Sequence, residues 1–225
     1  MFQIGLPLWQ RVIFVDWHGV LCHQPFWHSI LSKQSHPVHA HLKAATEVLF
    51  KSQRERVRSW MRGDLTSSEI IDSLEVPLPH RYRREYLKQT LLRDCRSMNP
   101  NSDLLRVLRS YAYGCQGWLV LATDNMDCFA ESLESITGLL NVFDCVLCSS
   151  QLGVLKSDGV ARFFGPWLDA HGLGFHQAVL IDDSENTCLD FERAGGISIN
   201  FRNMQQVQAE IAQGDRWEGR GQHLN

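Results

Sequence analysis

The sequence predicts an α/β fold, a three-layer sandwich around a central parallel sheet, with an α-helical insertion after the first strand. Two observations carry this expectation. Short, wholly apolar runs recur along the chain with helical segments between them, the pattern of strands covered on both faces and joined by crossovers. Between residues 24 and 99, by contrast, there is no convincing strand, and apolar residues recur at helical spacing.

The first run, Val12-Ile13-Phe14-Val15, reads as a central strand and stops abruptly at Asp16-Trp17-His18-Gly19. Side chains alternate along a strand, so Asp16 and His18 project to one side and Trp17 to the other, while Gly19 permits a sharp exit. The insertion shows helical periodicity over 42–61, 67–74 and 82–96. Inside it Gly63 marks a helix stop, and Thr66 with Glu69 three residues later reads as a capping box. Val76-Pro77-Leu78-Pro79 is a further break. Arg54, Arg56, Arg58 and Arg62 read as a solvated helix face, and Phe26 and Trp27 as packing at the base of the insertion.

Past Asn101 the alternation of strand and helix resumes. Ser102 is expected to cap a helix over 104–111, followed by a buried strand, Trp118 to Ala122, that ends at Thr123-Asp124-Asn125. Another helix, a strand over 143–148 and the segment Ser149 to Lys156 come next, then a helix over 163–171. The run Ala178 to Ile181 ends in Asp182-Asp183, and 197–201 forms a last strand. The tail from Asp215 is polar and glycine-containing and is expected to be loosely held.

Composition narrows the class of partner. Apolar residues make up 44% and charged residues 21%, enough apolar material for a packed core and too little charge for a disordered chain. A net charge of −3 leaves no basic footprint for nucleic acid. No stretch is long and apolar enough for a bilayer span, and Met1 to Leu8 lacks a basic leader followed by an apolar run. The expectation is a cytoplasmic protein, monomer or homodimer, that acts on a small molecule. Seven cysteines, an odd number, suit reduced thiols; Cys145 and Cys148 have CxxC spacing but sit inside an apolar run and read as buried strand thiols. Five histidines, His23, His28, His36, His39 and His41, cluster after the first strand at no familiar ligand spacing.

Right-handed crossovers in a parallel sheet put every strand's carboxyl end on one edge, where ligands bind. Asp16, His18, Thr123 and Asp182 therefore converge, within reach of Lys156 on its loop. Carboxylates without clustered His or Cys favour a hard, oxygen-ligated ion such as Mg²⁺. A hard cation suits an anionic substrate, and phosphate meets the requirement. Mg²⁺ and Lys156 offset the repulsion between a phosphoryl group and an attacking carboxylate, while the Thr123 hydroxyl and loop N–H groups hold its oxygens. Asp16 is then the nucleophile, forming an aspartyl-phosphate that water hydrolyses.

This set resembles the haloacid dehalogenase superfamily of hydrolases. The shared features are the first motif Asp16-Trp17-His18-Gly19-Val20-Leu21, a strand ending in Thr123, Lys156 within Leu152-Gly153-Val154-Leu155-Lys156, and a strand ending in Asp182-Asp183. The resemblance implies a Rossmann-like core over 1–22 and 99–225 and, over 23–98, an α-helical cap of that superfamily's first type. It assigns the nucleophile role to Asp16 and Mg²⁺ to the Asp16 carboxylate, the His18 backbone carbonyl and Asp182. Asp183 is a further candidate for the metal or for orienting Lys156. Two departures stand out. Family phosphatases usually carry a second Asp where this chain has His18; an imidazole, with an ordinary pKa of about 6.5, can serve as both acid and base. Asp124 follows Thr123 where Asn is common. The expected function is a Mg²⁺-dependent phosphatase acting on a small phosphorylated metabolite. Two alternatives stay open: a catalytically weak relative that binds a ligand or partner in the same cleft, and hydrolysis of C–halogen or C–P bonds. The Asp16-Trp17 pair resembles phosphonate-cleaving members, whereas the retained Asp182-Asp183 argues against a metal-free dehalogenase.

Overall fold

The computed structural model describes residues 11–75, 82, 84–114, 116–136, 139 and 141–212, so the opening Met1 to Leu8, the break at Val76 to Pro79 and the tail from Asp215 lie outside the described residues. Five strands, β1 (Val12–Val15), β2 (Trp118–Thr123), β3 (Cys145–Cys148), β4 (Ala178–Asp182) and β5 (Ile197–Asn200), form one sheet in the order β3-β2-β1-β4-β5. Every pairing is parallel. β1 is the middle strand, which explains its uninterrupted apolar run: both of its edges are paired and both of its faces are covered. Val12, Phe14 and Val15 are wholly inaccessible, and burying side chains of this size contributes roughly 1.5–3 kcal/mol each.

Alternation along the strands divides the core into two halves. Val12, Phe14, Val120, Ala122, Ala178 and Leu180 face one side. There they meet α9 (Val160–Ala170) and α10 (Glu185–Arg193), with the Phe14 ring 4.7 Å from Phe164 and 6.3 Å from Phe191. Ile13, Val15, Leu119, Leu121, Val179 and Ile181 face the other side, toward α6 (Ser102–Gly114) and α11 (Met204–Ala212). Three short helical pieces, α7 (Asp127–Ala130), a 3-10 turn over Leu133–Ser135 and α8 (Ser149–Leu152), line the sheet edge beyond β2 and β3.

Among the described residues, five helices lie between β1 and α6: α1 (His28–Leu31), α2 (His39–Ser52), α3 (Arg54–Arg62), α4 (Ser67–Ser73) and α5 (Arg84–Arg96). The capping box expected at Thr66 is present, Thr66 Oγ1 accepting from the Glu69 N–H at 3.2 Å and the Glu69 carboxylate from the Thr66 N–H at 2.8 Å. Two local readings change. The periodic run over 42–61 is two helices, because the chain leaves helical geometry at Gln53 with φ −108° and ψ 47°. Asn101 rather than Ser102 caps α6, its side-chain oxygen accepting from the Leu104 N–H at 3.0 Å. Among the described residues no helix is long and apolar enough to cross a membrane.

Candidate active site

Asp16 follows β1 directly, and its N–H extends the ladder by donating to the Ile181 carbonyl at 2.9 Å. Asp182 is the last residue of the adjacent β4, and Thr123 the last of β2 on the other side. The chain then turns back sharply. The Leu21 and Cys22 N–H groups both donate to the Trp17 carbonyl at 2.9 Å, with Gly19 at φ +88°. Gly19 also makes room: a Cβ there would stand 2.0 Å from Asp183 Oδ2, so only glycine admits the Asp183 carboxylate against this turn.

Lys156, on a 3-10 turn (Lys156–Asp158), inserts its ammonium between the two strand-end carboxylates. Its Nζ donates to Asp16 Oδ1 at 2.9 Å, to Asp182 Oδ2 at 2.6 Å and to the Ala122 carbonyl at 3.3 Å. All three side chains are buried. Burial dominates at Asp16 and raises its carboxyl to about 7, with Lys156 opposing the rise and Asp182 adding to it. Burial also disfavours the Lys156 ammonium, but Asp16, Asp182 and Asp124 outweigh it and hold its pKa above the ordinary lysine value. Asp182 is fixed from its far side by the Ser184 N–H, at 2.8 Å on Oδ1.

The carboxylate oxygens of Asp16, Asp182 and Asp183 can all be taken within 4.8 Å of one another. Three hard anionic ligands this close, served by one ammonium, match the donor set of a small divalent cation. Thr123 Oγ1 is fully buried with no hydrogen-bond partner among the described residues. His18, by contrast, is exposed at one side and lines a cavity with Trp17 and Asp124; partial burial of its ring lowers the imidazole pKa, opposed by the charge of Asp183.

No family model and no curated protein matches the chain. Solved structures do. A predicted HAD-like family hydrolase from Porphyromonas gingivalis aligns over 91% of this chain and 98% of its own, at 17% identity and a TM-score of 0.65. A HAD family enzyme from Bacteroides thetaiotaomicron, in complex with magnesium and inorganic phosphate, aligns over 86% and 94% at 13% identity and a TM-score of 0.62. The chain has the haloacid dehalogenase fold. The L-2-haloacid dehalogenase of Xanthobacter autotrophicus shares that fold as well, at 13% identity over 91% of this chain and 83% of that one, with a TM-score of 0.58.

Within the haloacid dehalogenase fold of this chain, the sequence-derived residues fall into two groups. Asp16, Asp182 and Lys156 are in direct contact, with Thr123 on the adjoining strand end and Asp183 beside the Gly19 turn. His18 sits at the cavity wall. Asp183 makes its closest approach to Gly19, and the ammonium of Lys156 is oriented by Asp16 and Asp182 instead.

Other contributors were not among the site residues derived from the sequence. Asp124 Oδ1 accepts the Lys156 N–H at 3.0 Å, so the residue that replaces the common Asn ties the lysine turn to β2. Asp158 anchors the other end of that turn by accepting the Leu155 N–H at 3.0 Å. Two of the arginines read as a solvated face are committed to the same carboxylate: Arg62 donates to both Asp158 oxygens at 2.8 and 2.6 Å, and Arg58 to one of them at 2.9 Å. The inserted helices are fastened at two further points, Ser149 Oγ to the Met61 carbonyl at 2.6 Å and Trp60 Nε1 to Asp127 at 2.9 Å. The fork of an arginine against a carboxylate is readable only once α3 and the lysine turn are known to meet.

Proposed function

We propose that this chain is a Mg²⁺-dependent phosphatase of the haloacid dehalogenase type, acting on a small phosphate monoester through a covalent intermediate on Asp16. The observation that carries the reading is the charge balance of the site. Asp16, Asp182 and Asp183 bring three carboxylates together against the single ammonium of Lys156. Like charges at this spacing, two of them buried and Asp183 exposed, favour a further cation, and a dehalogenase reaction has no use for one. The magnesium and inorganic phosphate bound by the Bacteroides thetaiotaomicron protein of the same fold support the same reading.

In this account the Asp16 carboxylate attacks phosphorus and the bond from phosphorus to the ester oxygen breaks, the oxygen leaving as an alcohol with a proton from His18. Water then gives its proton to His18 and attacks the same phosphorus, releasing inorganic phosphate and the free Asp16 carboxylate. Lys156 opposes the rise that burial imposes on the Asp16 pKa, favouring its carboxylate form, and offsets the charge of the incoming phosphoryl group. The unpaired Thr123 hydroxyl donates to a phosphoryl oxygen, regaining the hydrogen bond its burial otherwise forfeits. Mg²⁺, held by the Asp16, Asp182 and Asp183 carboxylates and the His18 backbone carbonyl, supplies charge neutralisation when bound. Residues 23–98 act as a cap over the core formed by 1–22 and 99–225.

A panel of phosphate monoesters and 2-haloacids, assayed with Mg²⁺ and after chelation, tests the proposal. Phosphate release that needs the metal is the expected result. Halide release that survives chelation would transfer the chain to the dehalogenase chemistry, and binding of phosphate esters without turnover would make it a ligand-binding relative.

A further inference from the structure

Beside the carboxylate cluster lies a cavity of about 480 Å³, walled on the sheet side by Trp17, His18, Asp124 and Asn125 and on the other by the inserted helices. Its location next to the first motif makes it the space for the organic part of a substrate, and its wall is specific about what that part is. The wall is mainly apolar, with Phe26, Phe50, Val57, Met61 and Met98 among its residues. Among the polar side chains in the wall, Thr46, Gln24 and Asn125 each spend an oxygen on a backbone partner, while His18, Glu47 and Lys51 stay exposed. Thr46 Oγ1 donates to the Leu42 and Lys43 carbonyls at 2.9 and 3.0 Å, Gln24 Oε1 accepts from the Asn99 N–H at 2.7 Å, and Asn125 Oδ1 accepts from the Met126 N–H at 3.0 Å. Lys51 lies 3.9 Å from Glu47 one helical turn away, with both side chains at least half exposed. Arg58 and Arg62, two of the four arginines of α3, are occupied by Asp158.

From this we infer, resting on the phosphatase reading above, that the substrate is a phosphate monoester with an apolar body, aryl or branched alkyl, and a single anionic group. A sugar phosphate placed here would turn most of its hydroxyls toward a wall that is mainly apolar, at a cost for each one left without a hydrogen bond. A bisphosphate or nucleotide would bring a second anion to a wall whose one lysine faces a glutamate. An apolar body gains on both counts, because its transfer from water drives binding and the flexible thioethers of Met61 and Met98 adapt to its outline. At about 30 Å³ for a water-sized group, the volume of about 480 Å³ accepts a body of roughly 16 non-hydrogen atoms.

The test compares binding of two non-hydrolysable probes, 3-phenylpropylphosphonate and methylphosphonate, to the intact Mg²⁺-loaded protein by calorimetry. Hydrolysis of acetyl phosphate, whose small body leaves the cavity nearly empty, is followed separately. The arylalkyl probe is expected to bind at least tenfold more tightly. That ratio is expected to collapse toward one in Val57→Glu and in Phe50→Glu; Phe50 is 38% exposed, so its variant folds even where a charge at Val57 does not. Equal affinities in the wild type, or a ratio that neither variant moves, would overturn the inference. Arylalkyl preference without acetyl phosphate hydrolysis upholds the apolar cavity and overturns the phosphatase reading. Hydrolysis without the preference does the reverse.

Discussion

The two walls of the cavity are built on opposite principles. The sheet wall, to which Asp124 belongs, backs onto concentrated charge: Asp16, Asp124 and Asp182 surround one buried ammonium with Asp183 beside them, and each is fixed by a strand end, a tight turn or a backbone N–H. The helical wall is apolar, and the arginines it carries nearby are spent on holding it down against Asp158. The contrast teaches that reactivity and selectivity are supplied by separate parts of this chain. Charges on rigid strand ends are preorganised for chemistry. Side chains on an inserted helical layer vary in shape without disturbing those charges.

Breaking the sheet wall has the largest expected effect. Lys156→Met leaves Asp16 and Asp182 buried without their counter-charge, so phosphatase turnover is expected to fall by at least about a thousandfold. Urea unfolding is expected to register a loss of about 3–5 kcal/mol, as when one partner of a buried pair is removed. A variant with near wild-type stability and turnover would mean that the ammonium contributes neither charge balance nor catalysis.

Gly19→Ala is a subtler break of the same wall. The new Cβ would overlap Asp183 Oδ2 and meet a backbone at φ +88°, costing about 1–2 kcal/mol for the left-handed conformation alone. Displacement of Asp183 is expected to raise the Mg²⁺ concentration for half-maximal activity by about 10- to 100-fold. An unchanged metal titration would remove Asp183 from the cation site.

How much of this was legible beforehand differs between the two walls. β1, β2 and β4 are short apolar runs that end in a polar residue, so Asp16, Thr123 and Asp182 could be placed on one edge from the run lengths and the crossover rule. Lys156 was readable only through its motif, since its spacing in sequence says nothing of the 2.6 Å contact with Asp182. The helical wall was much less legible. Gln53 interrupts a periodic run without a Gly or Pro to mark it. Arg58 and Arg62 resemble any solvated helix face until Asp158, nearly a hundred residues on, is brought beside them by packing. Asp124 serves the Lys156 backbone, a donor that no side-chain pattern announces.

The join between the walls is expected to affect stability and leave the chemistry of the carboxylates untouched. Asp158→Asn removes the charge that Arg58 and Arg62 share and is expected to cost about 1.5–3 kcal/mol in thermal or urea unfolding. The hydrogen bonds from Arg62 hold the Asp158 carboxyl well below the ordinary carboxylate range. Its folded pKa is therefore lower than its unfolded value of about 3.9, so this stability is present above pH 4 and is lost as the pH falls below it. Unfolding curves between pH 3 and 6 are expected to lose part of their acid dependence in Asp158→Asn. Parallel curves for the two proteins would show that the join carries no such contribution.

The central claim is that Asp16 passes a phosphoryl group to water. It is tested most directly by a single turnover of excess protein with a phosphate monoester in H₂¹⁸O, followed by mass analysis of both the released phosphate and the peptide that contains Asp16. Attack of water on phosphorus predicts one heavy oxygen in the phosphate and an Asp16 peptide of unchanged mass, with Asp16→Asn releasing no phosphate. Heavy oxygen in the Asp16 carboxylate, or phosphate release that persists in Asp16→Asn, would contradict it.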